Sequence, residues 1–176
     1  MSLRVADEQI STISFEGQAL NTARGTSAYG QAYDPATDHE SMTSTGVPTI
    51  LIGNAVYEAT DCTVDFDSRI VGRRRIGTEG PGSLRRGRMR VTGTINVYLD
   101  AWTEIDKHEA GSVSSLVLGM ESSDGYAYSL SIPELRWTQA MTDTEGPDLD
   151  DFARLSFQGE LDATEGITAR WQSFAA

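Results

Sequence analysis

Residues that carry chemistry are scarce in this chain of 176 residues: there is one cysteine, Cys62, and there are two histidines, His39 and His108. A lone thiol forms no internal disulfide, and nothing near it has metal-ligand spacing. Cys62 falls on the apolar side of an alternating stretch, the usual setting of a buried, inert thiol. Each histidine stands beside a glutamate, Glu40 or Glu109, one on a polar loop and one near a helix end. Both are read as solvated surface groups. No G-x-S-x-G, H-E-x-x-H, C-x-x-C or phosphate-loop pattern occurs. The glycines of "GTEGPG" lack the following lysine and the strand-to-helix context of a phosphate cradle. The expectation is a protein that is not an enzyme and holds no cofactor and no metal.

Long apolar runs are missing too. None approaches the ~20 residues that span a bilayer, so no membrane insertion is expected. The opening "MSLRVADEQISTISF" has no basic flank followed by an apolar core, so it is not read as a secretory signal. A soluble protein of a reducing compartment is expected. Positive charge is in short supply: 14 basic against 26 acidic residues leave a formal net charge of −12. That balance argues against general affinity for nucleic acid, whose phosphates it repels. A hydrophobic fraction of 39% argues against wholesale disorder, and the length suits one domain.

Strand patterns are plentiful. "TDCTVDFD" puts Cys62, Val64 and Phe66 on one side and its aspartates on the other. "RMRVTGTINVYL" alternates over twelve residues, with Met89, Val91, Gly93, Ile95, Val97 and Leu99 on one face, long against the usual ~5–6 residues. Further strands are predicted at 114–121, 125–133, 135–141 and 153–161, with others at 10–15, 49–53, 55–59 and 168–174. "SSDG" (122–125) and "IGNAV" (52–56) read as hairpin turns. "EGPGS" (79–83) breaks an arginine-rich segment and makes its two arms antiparallel partners. One helix is predicted at 101–109, capped by Asp100, stopped by Gly111, with Trp102, Ile105 and the Lys107 stem facing the sheet. Residues 17–48 show no periodicity; an unstructured stretch of ~30 residues in a compact domain is usually functional or disordered, and ordering against another molecule accounts for it most simply. Roughly ten strands and one helix predict an all-β sandwich or barrel with a helix closing one side.

Against the acidic background, eight arginines crowd between Arg69 and Arg90: Arg69, Arg73, Arg74, Arg75, Arg85, Arg86, Arg88 and Arg90. The rest of the chain holds 25 acidic and 6 basic residues. Lysine occupies none of the eight positions, although it would serve solubility equally well; the guanidinium fork suits bidentate pairing with carboxylate or phosphate. Carboxylates are abundant, including Asp143, Glu145, Asp148, Asp150 and Asp151 in the run 142–151. That run lacks the spacing and helical flanks of a calcium loop and reads as a solvated or partner-facing hairpin end. Self-association, with the arginine hairpin of one copy meeting acidic surface of another, is the favoured reading. A simply solvated hairpin and a nucleic-acid site stay open, the latter weakened by the absence of interleaved aromatics for stacking.

The second half of the chain resembles the tail tube proteins of long-tailed bacteriophages. The features that carry the likeness are a long strand ending "VTGTINVYL", a helix at "AWTEIDKH", the strand "SSLVLGM", the pair "DGYAYSLSIPELRW" and the segment "GPDLDDFARLSFQGEL", in that order across about residues 55–165. The resemblance implies two packed antiparallel sheets with a flanking helix, six copies closed into a ring, and long hairpins joined into a barrel that lines a channel. Rings stack into the tube through which DNA leaves the capsid. In that picture 1–16 is an N-terminal arm or first strand, and 17–48 is an extended loop that reaches a neighbour and brings Tyr29 and Tyr33 to the contact. Residues 49–166 form the tube domain, with the long hairpin at 60–99, and 167–176 a C-terminal arm. The partners implied are further copies, the tape-measure, terminator and distal tail proteins, and genomic DNA passing without specific binding. The location implied is the virion tail, assembled in the host cytoplasm. The arginines strain the pattern, since in the lumen they would retard DNA; they are expected to point toward carboxylates of a neighbouring subunit or ring. Two alternatives remain: the tube subunit of a bacterial secretion or contractile injection device, and a monomeric β-sandwich that binds nucleic acid or carbohydrate through its arginine hairpin.

Overall fold

Alternation of apolar and polar residues becomes twelve strands and one helix in the computed structural model, which describes residues 1–6, 11–17, 49–74, 76–77, 81–99, 102–122, 125–144 and 150–174. In chain order the strands are β1 (Ser2–Ala6), β2 (Thr12–Ser14), β3 (Thr49–Ile52), β4 (Ala55–Val56), β5 (Ala59–Asp67), β6 (Val71–Arg74), β7 (Pro81–Arg85) and β8 (Arg90–Tyr98). The helix α1 (Thr103–Glu109) follows, then β9 (Val113–Glu121), β10 (Ala127–Thr144), β11 (Asp151–Gly159) and β12 (Arg170–Phe174). The fold is all-β, with two antiparallel sheets and one short helix, as expected.

The larger sheet runs β2-β1-β5-β8-β11-β10-β9-β3-β4, with β12 also on β10. Its architecture turns on β10. Residues 135–144 pair with β11, whereas 127–131 pair with β12 on that same side and 127–136 with β9 on the other. One 18-residue strand thus belongs to two layers, the route by which a strand switches sheets at a corner. The sequence reading splits this strand in two at Pro133. The reason is a phase slip: Leu130 and Ile132 face the core, then Leu135 and Trp137 do, with an irregularity between 132 and 135. A bulge restores the parity that would otherwise turn the second half outward, and it is a place where proline is tolerated.

Between the layers lies one apolar cluster, including Leu3, Val64, Ile95, Leu116, Ile132, Leu155 and Phe157. Gly93 makes room for its largest fully buried side chain, Phe157. A Cβ there would sit 2.3 Å from the Thr63 carbonyl oxygen and 2.5 Å from Phe157 Cζ, so the ring lies directly on the β8 backbone. The "IGNAV" turn forms with Gly53 and Asn54 at φ 57° and 70°, the double positive φ of a two-residue hairpin. The turn at 122–125 closes with Gly125 at φ 84° and its N–H bonded to the Ser122 carbonyl.

Three local expectations are corrected. The helix begins at Thr103, with Trp102 at the N-cap position and no side-chain cap; Asp100 lies outside the described residues. Trp102 is exposed (59%), and the helix instead buries Glu104. The long strand of "RMRVTGTINVYL" starts at Arg90, leaving Met89 half out in solvent.

Candidate functional site

The hairpin at 60–99 is two ladders rather than one. β5 and β8 pair in the body from Ala59↔Val97 to Asp67↔Arg90, and β6 and β7 form a separate two-stranded sheet beyond them. The break has a local cause. The Asp67 side chain accepts the Arg69 backbone N–H (2.8 Å), and Arg69 adopts φ 45°, a left-handed conformation that side chains with a Cβ rarely hold. Opposite it, Gly87 donates to the Arg69 carbonyl at 3.1 Å, and a Cβ on Gly87 would lie 2.7 Å from that oxygen. The chain therefore kinks on one side and needs a glycine on the other. The β6–β7 ladder projects as a finger, its arms antiparallel as expected.

The arginines divide at the kink. At the root, Arg69 lies 3.8 Å from the Asp67 carboxylate, and Arg90 donates to Gln158 Oε1 at 3.0 Å. Arg73, Arg74, Arg85 and Arg86 beyond it, and Arg88 at the root, are exposed and have no ion pair or hydrogen bond from their side chains among the described residues. Elsewhere Arg4, Lys107, Arg136 and Arg170 each have a carboxylate partner, and among the described residues Arg154 is a further arginine without an ion pair. Arg75, Tyr29, Tyr33, Glu145 and Asp148 lie outside the described residues. Asp143, Asp150 and Asp151 are exposed where β10 meets β11.

Register places these two groups far apart. The finger leaves the body at Asp67↔Arg90, whereas Thr144↔Asp151 and Phe152↔Tyr98 lie at the other end of the same strands. Eight residue steps along β8 separate the ends, about 26 Å at 3.3 Å per residue. Among the described residues, the structure thus does not bring the predicted basic and acidic groups together within one chain.

Two clefts flank the root of the finger. One, of about 690 Å³, is lined by Arg69, Arg88, Met89, Arg90, Glu160 and Leu161 among others. Its carboxylate, Glu160, is already held by Arg136 at 2.9 Å. The other, of about 500 Å³, sets exposed Phe15 and Ile70 beside Glu16, Asp65 and Asp67. Ile76, Val71 and Met89 add apolar surface on and beside the finger.

One polar cluster was not foreseen. Glu104, 3% exposed, accepts from Lys107 Nζ (2.7 Å), the Ser114 hydroxyl (2.9 Å) and Trp137 Nε1 (2.8 Å). Four groups from the helix, β9 and β10 thereby satisfy one another, as a buried carboxylate demands. His108, expected in solvent, is half-buried and its Nδ1 meets the Trp137 carbonyl at 3.0 Å. The two contacts clamp α1 over the corner of β10. A glutamate one turn from a lysine and an indole in need of an acceptor were the available signals. Cys62 is buried as expected, and burial, with the Asp61 charge beside it, pushes its thiol up to about 12. Among the described residues no three His, Cys, Asp or Glu side chains are grouped to hold a metal.

The chain that folds in this way matches the model of the phage tail tube protein family over residues 1–165. The chain belongs to that family. No curated protein matches it. Among solved structures, this tail tube family member is similar to a chain of the anti-feeding prophage baseplate, determined by electron cryomicroscopy with sixfold symmetrisation. The two are 8% identical, the match covers 80% of this chain and 97% of that one, and the TM-score is 0.50, a likeness of fold. Family membership makes this a structural tail component, and the resemblance read from residues 55–165 is borne out.

Proposed function

We propose that the protein is the repeating subunit of a tail tube: six copies close into a ring, rings stack, and the bore conducts genomic DNA toward the host. Membership of the tail tube family over residues 1–165 carries the reading. The physical support is what a single copy leaves unfinished. Residues 139–144 of β10 have a strand on one side alone among the described residues, and β2, β4 and β12 are sheet edges. Open edges invite pairing with another chain, and ring closure removes them. The finger is a two-stranded ladder with no core of its own, marginal in water unless it packs against something. A net charge of −12 suits a bore through which DNA slides without sticking.

In this reading the segment 17–48 and the two terminal arms reach neighbouring copies, with Tyr29 and Tyr33 at the contact. Assembly takes place in the host cytoplasm, and the ends of the tube meet the tape-measure, terminator and distal tail proteins. A second reading, the tube of a contractile injection device, draws on the likeness to a chain of the anti-feeding prophage baseplate and differs only in cargo. Negative-stain microscopy of the purified protein tests both: rings or hollow filaments are expected, and a strictly monomeric species at high concentration would overturn them.

A further inference from the structure

Resting on the tube reading, we propose that β12 is an exchangeable latch: it covers an edge of β10 in the free subunit and crosses to the same edge of a neighbouring copy in the tube. β12 (Arg170–Phe174) lies beyond residues 1–165, the part of the chain that matches the tail tube family. It pairs with residues 127–131 of β10 on the side where β11 takes over past the corner, and so ends the layer that begins β4-β3-β9. All five of its residues are exposed, Trp171 by 37% and Phe174 by 52%. Besides the backbone ladder, Trp171 meets the Tyr128 ring with centroids 5.9 Å apart. An edge strand that buries so little surface opens at low cost.

The connection from β11 holds the slack that an exchange needs. At 162–167 the chain folds back on itself: the Asp162 N–H donates to the Ile167 carbonyl (2.9 Å) and the Gly166 N–H to the Asp162 carbonyl (2.8 Å). The Asp162 side chain accepts the Thr164 N–H (2.7 Å), Gly166 sits at φ 69°, and Arg170 is tied to Glu165 at 2.7 Å. The turn is thus closed by its own residues, most of them exposed. Opened, residues 160–169 reach on the order of 35 Å. In the free subunit this tether keeps β12 near its own edge at an effective concentration on the order of millimolar, and home closure wins. In the tube a neighbour's edge is held equally near. Both edges have one sequence, so the register from Ala127↔Phe174 to Ser131↔Arg170 forms in either place. Exchange of an identical element joins copies at low cost. Each edge accepts one strand, and a neighbour's β12 enters only after the resident one leaves. The free subunit is thereby self-blocked until it meets a growing tube.

A cysteine pair across the ladder reads both states. Ser129 and Gln172 stand directly opposite, so Ser129→Cys/Gln172→Cys sets two thiols within bridging distance, and buried Cys62 takes no part. Oxidised as the free subunit, the variant should bridge within one chain, run as a monomer on a non-reducing gel and form no tubes until a reductant is added. Assembled while reduced and then oxidised, it should bridge between chains and give dimers and higher species on the same gel. Tubes from the pre-bridged protein, or assembled tubes that yield bridged monomers alone, would overturn the exchange and leave the tube reading intact. Urea unfolding checks that the reduced variant folds, and Ala127→Cys/Phe174→Cys repeats the test two rungs away. Failure of both pairs to bridge in the free subunit would also overturn the latch. Wild-type protein that forms neither rings nor filaments would remove the latch and the tube reading together.

Discussion

Glu104 is the side chain on which most other groups depend. Replacing it with alanine strands the Ser114 hydroxyl, the Trp137 indole N–H and the Lys107 ammonium at a buried site. The expected cost is about 3 kcal/mol, seen as a lower urea midpoint; Glu104→Gln, which keeps an acceptor, should lose less than half of that. Gly93→Ala forces a methyl against the Thr63 carbonyl and the Phe157 ring and should cost about 3 kcal/mol by overpacking. Cys62 offers a pH signature. Its folded pKa of about 12 exceeds the ordinary value of 9.0, so the folded state holds the proton more tightly. Its contribution to stability is complete below pH 9 and is lost as pH rises from there toward 12. Cys62→Val should flatten the decline between pH 9 and 11, and the native thiol should ignore thiol reagents at pH 8 until the protein unfolds.

Among the elements, β10 and the finger were the least legible. Alternation along "LSIPELRW" changes phase at Pro133, and a local pattern cannot distinguish a turn between two strands from a bulge within one. Only its two sets of partners, β9 and β12 before the corner and β11 after it, make it continuous. The antiparallel arms of the finger were readable from "EGPGS", but the kink at Arg69 and Gly87 was not, since it depends on the Asp67 side chain capturing a backbone N–H. Replacing 71–85 with an Asp-Gly turn should leave the urea midpoint of the monomer within about 0.5 kcal/mol of its original stability and abolish tubes. By hydrogen exchange, finger amides should exchange rapidly in the monomer and become protected on assembly.

At the scale of the whole molecule, the expected behaviour is that of a charge-matched polymer. Replacing Arg73, Arg74 and Arg75 together with serine should weaken stacking measured by sedimentation, whereas unchanged assembly would reject their role between copies. Stacking should fade as ionic strength rises past ~0.15 M, where screening acts within ~8 Å. Titration against duplex DNA at physiological salt should show no tight binding, since a net charge of −12 surrounds the finger. Tight binding there would favour the nucleic-acid module instead.

The strands β5, β8, β9 and β11, the faces they turn inward from Cys62 to Phe66 and from Val91 to Val97, and the turn at Gly53 and Asn54 were legible in sequence alone, because alternation at period two and residues tolerant of positive φ act locally. The lone thiol and the crowding of arginine were equally plain. What tertiary structure decided was where separated residues meet. It folded β10 through both layers, buried Glu104 against Trp137 and set Arg88 and Asp151 at opposite ends of the body. Those outcomes follow from strand register and from the demand of buried polar atoms for partners, which are properties of the packed chain and not of any single stretch of it.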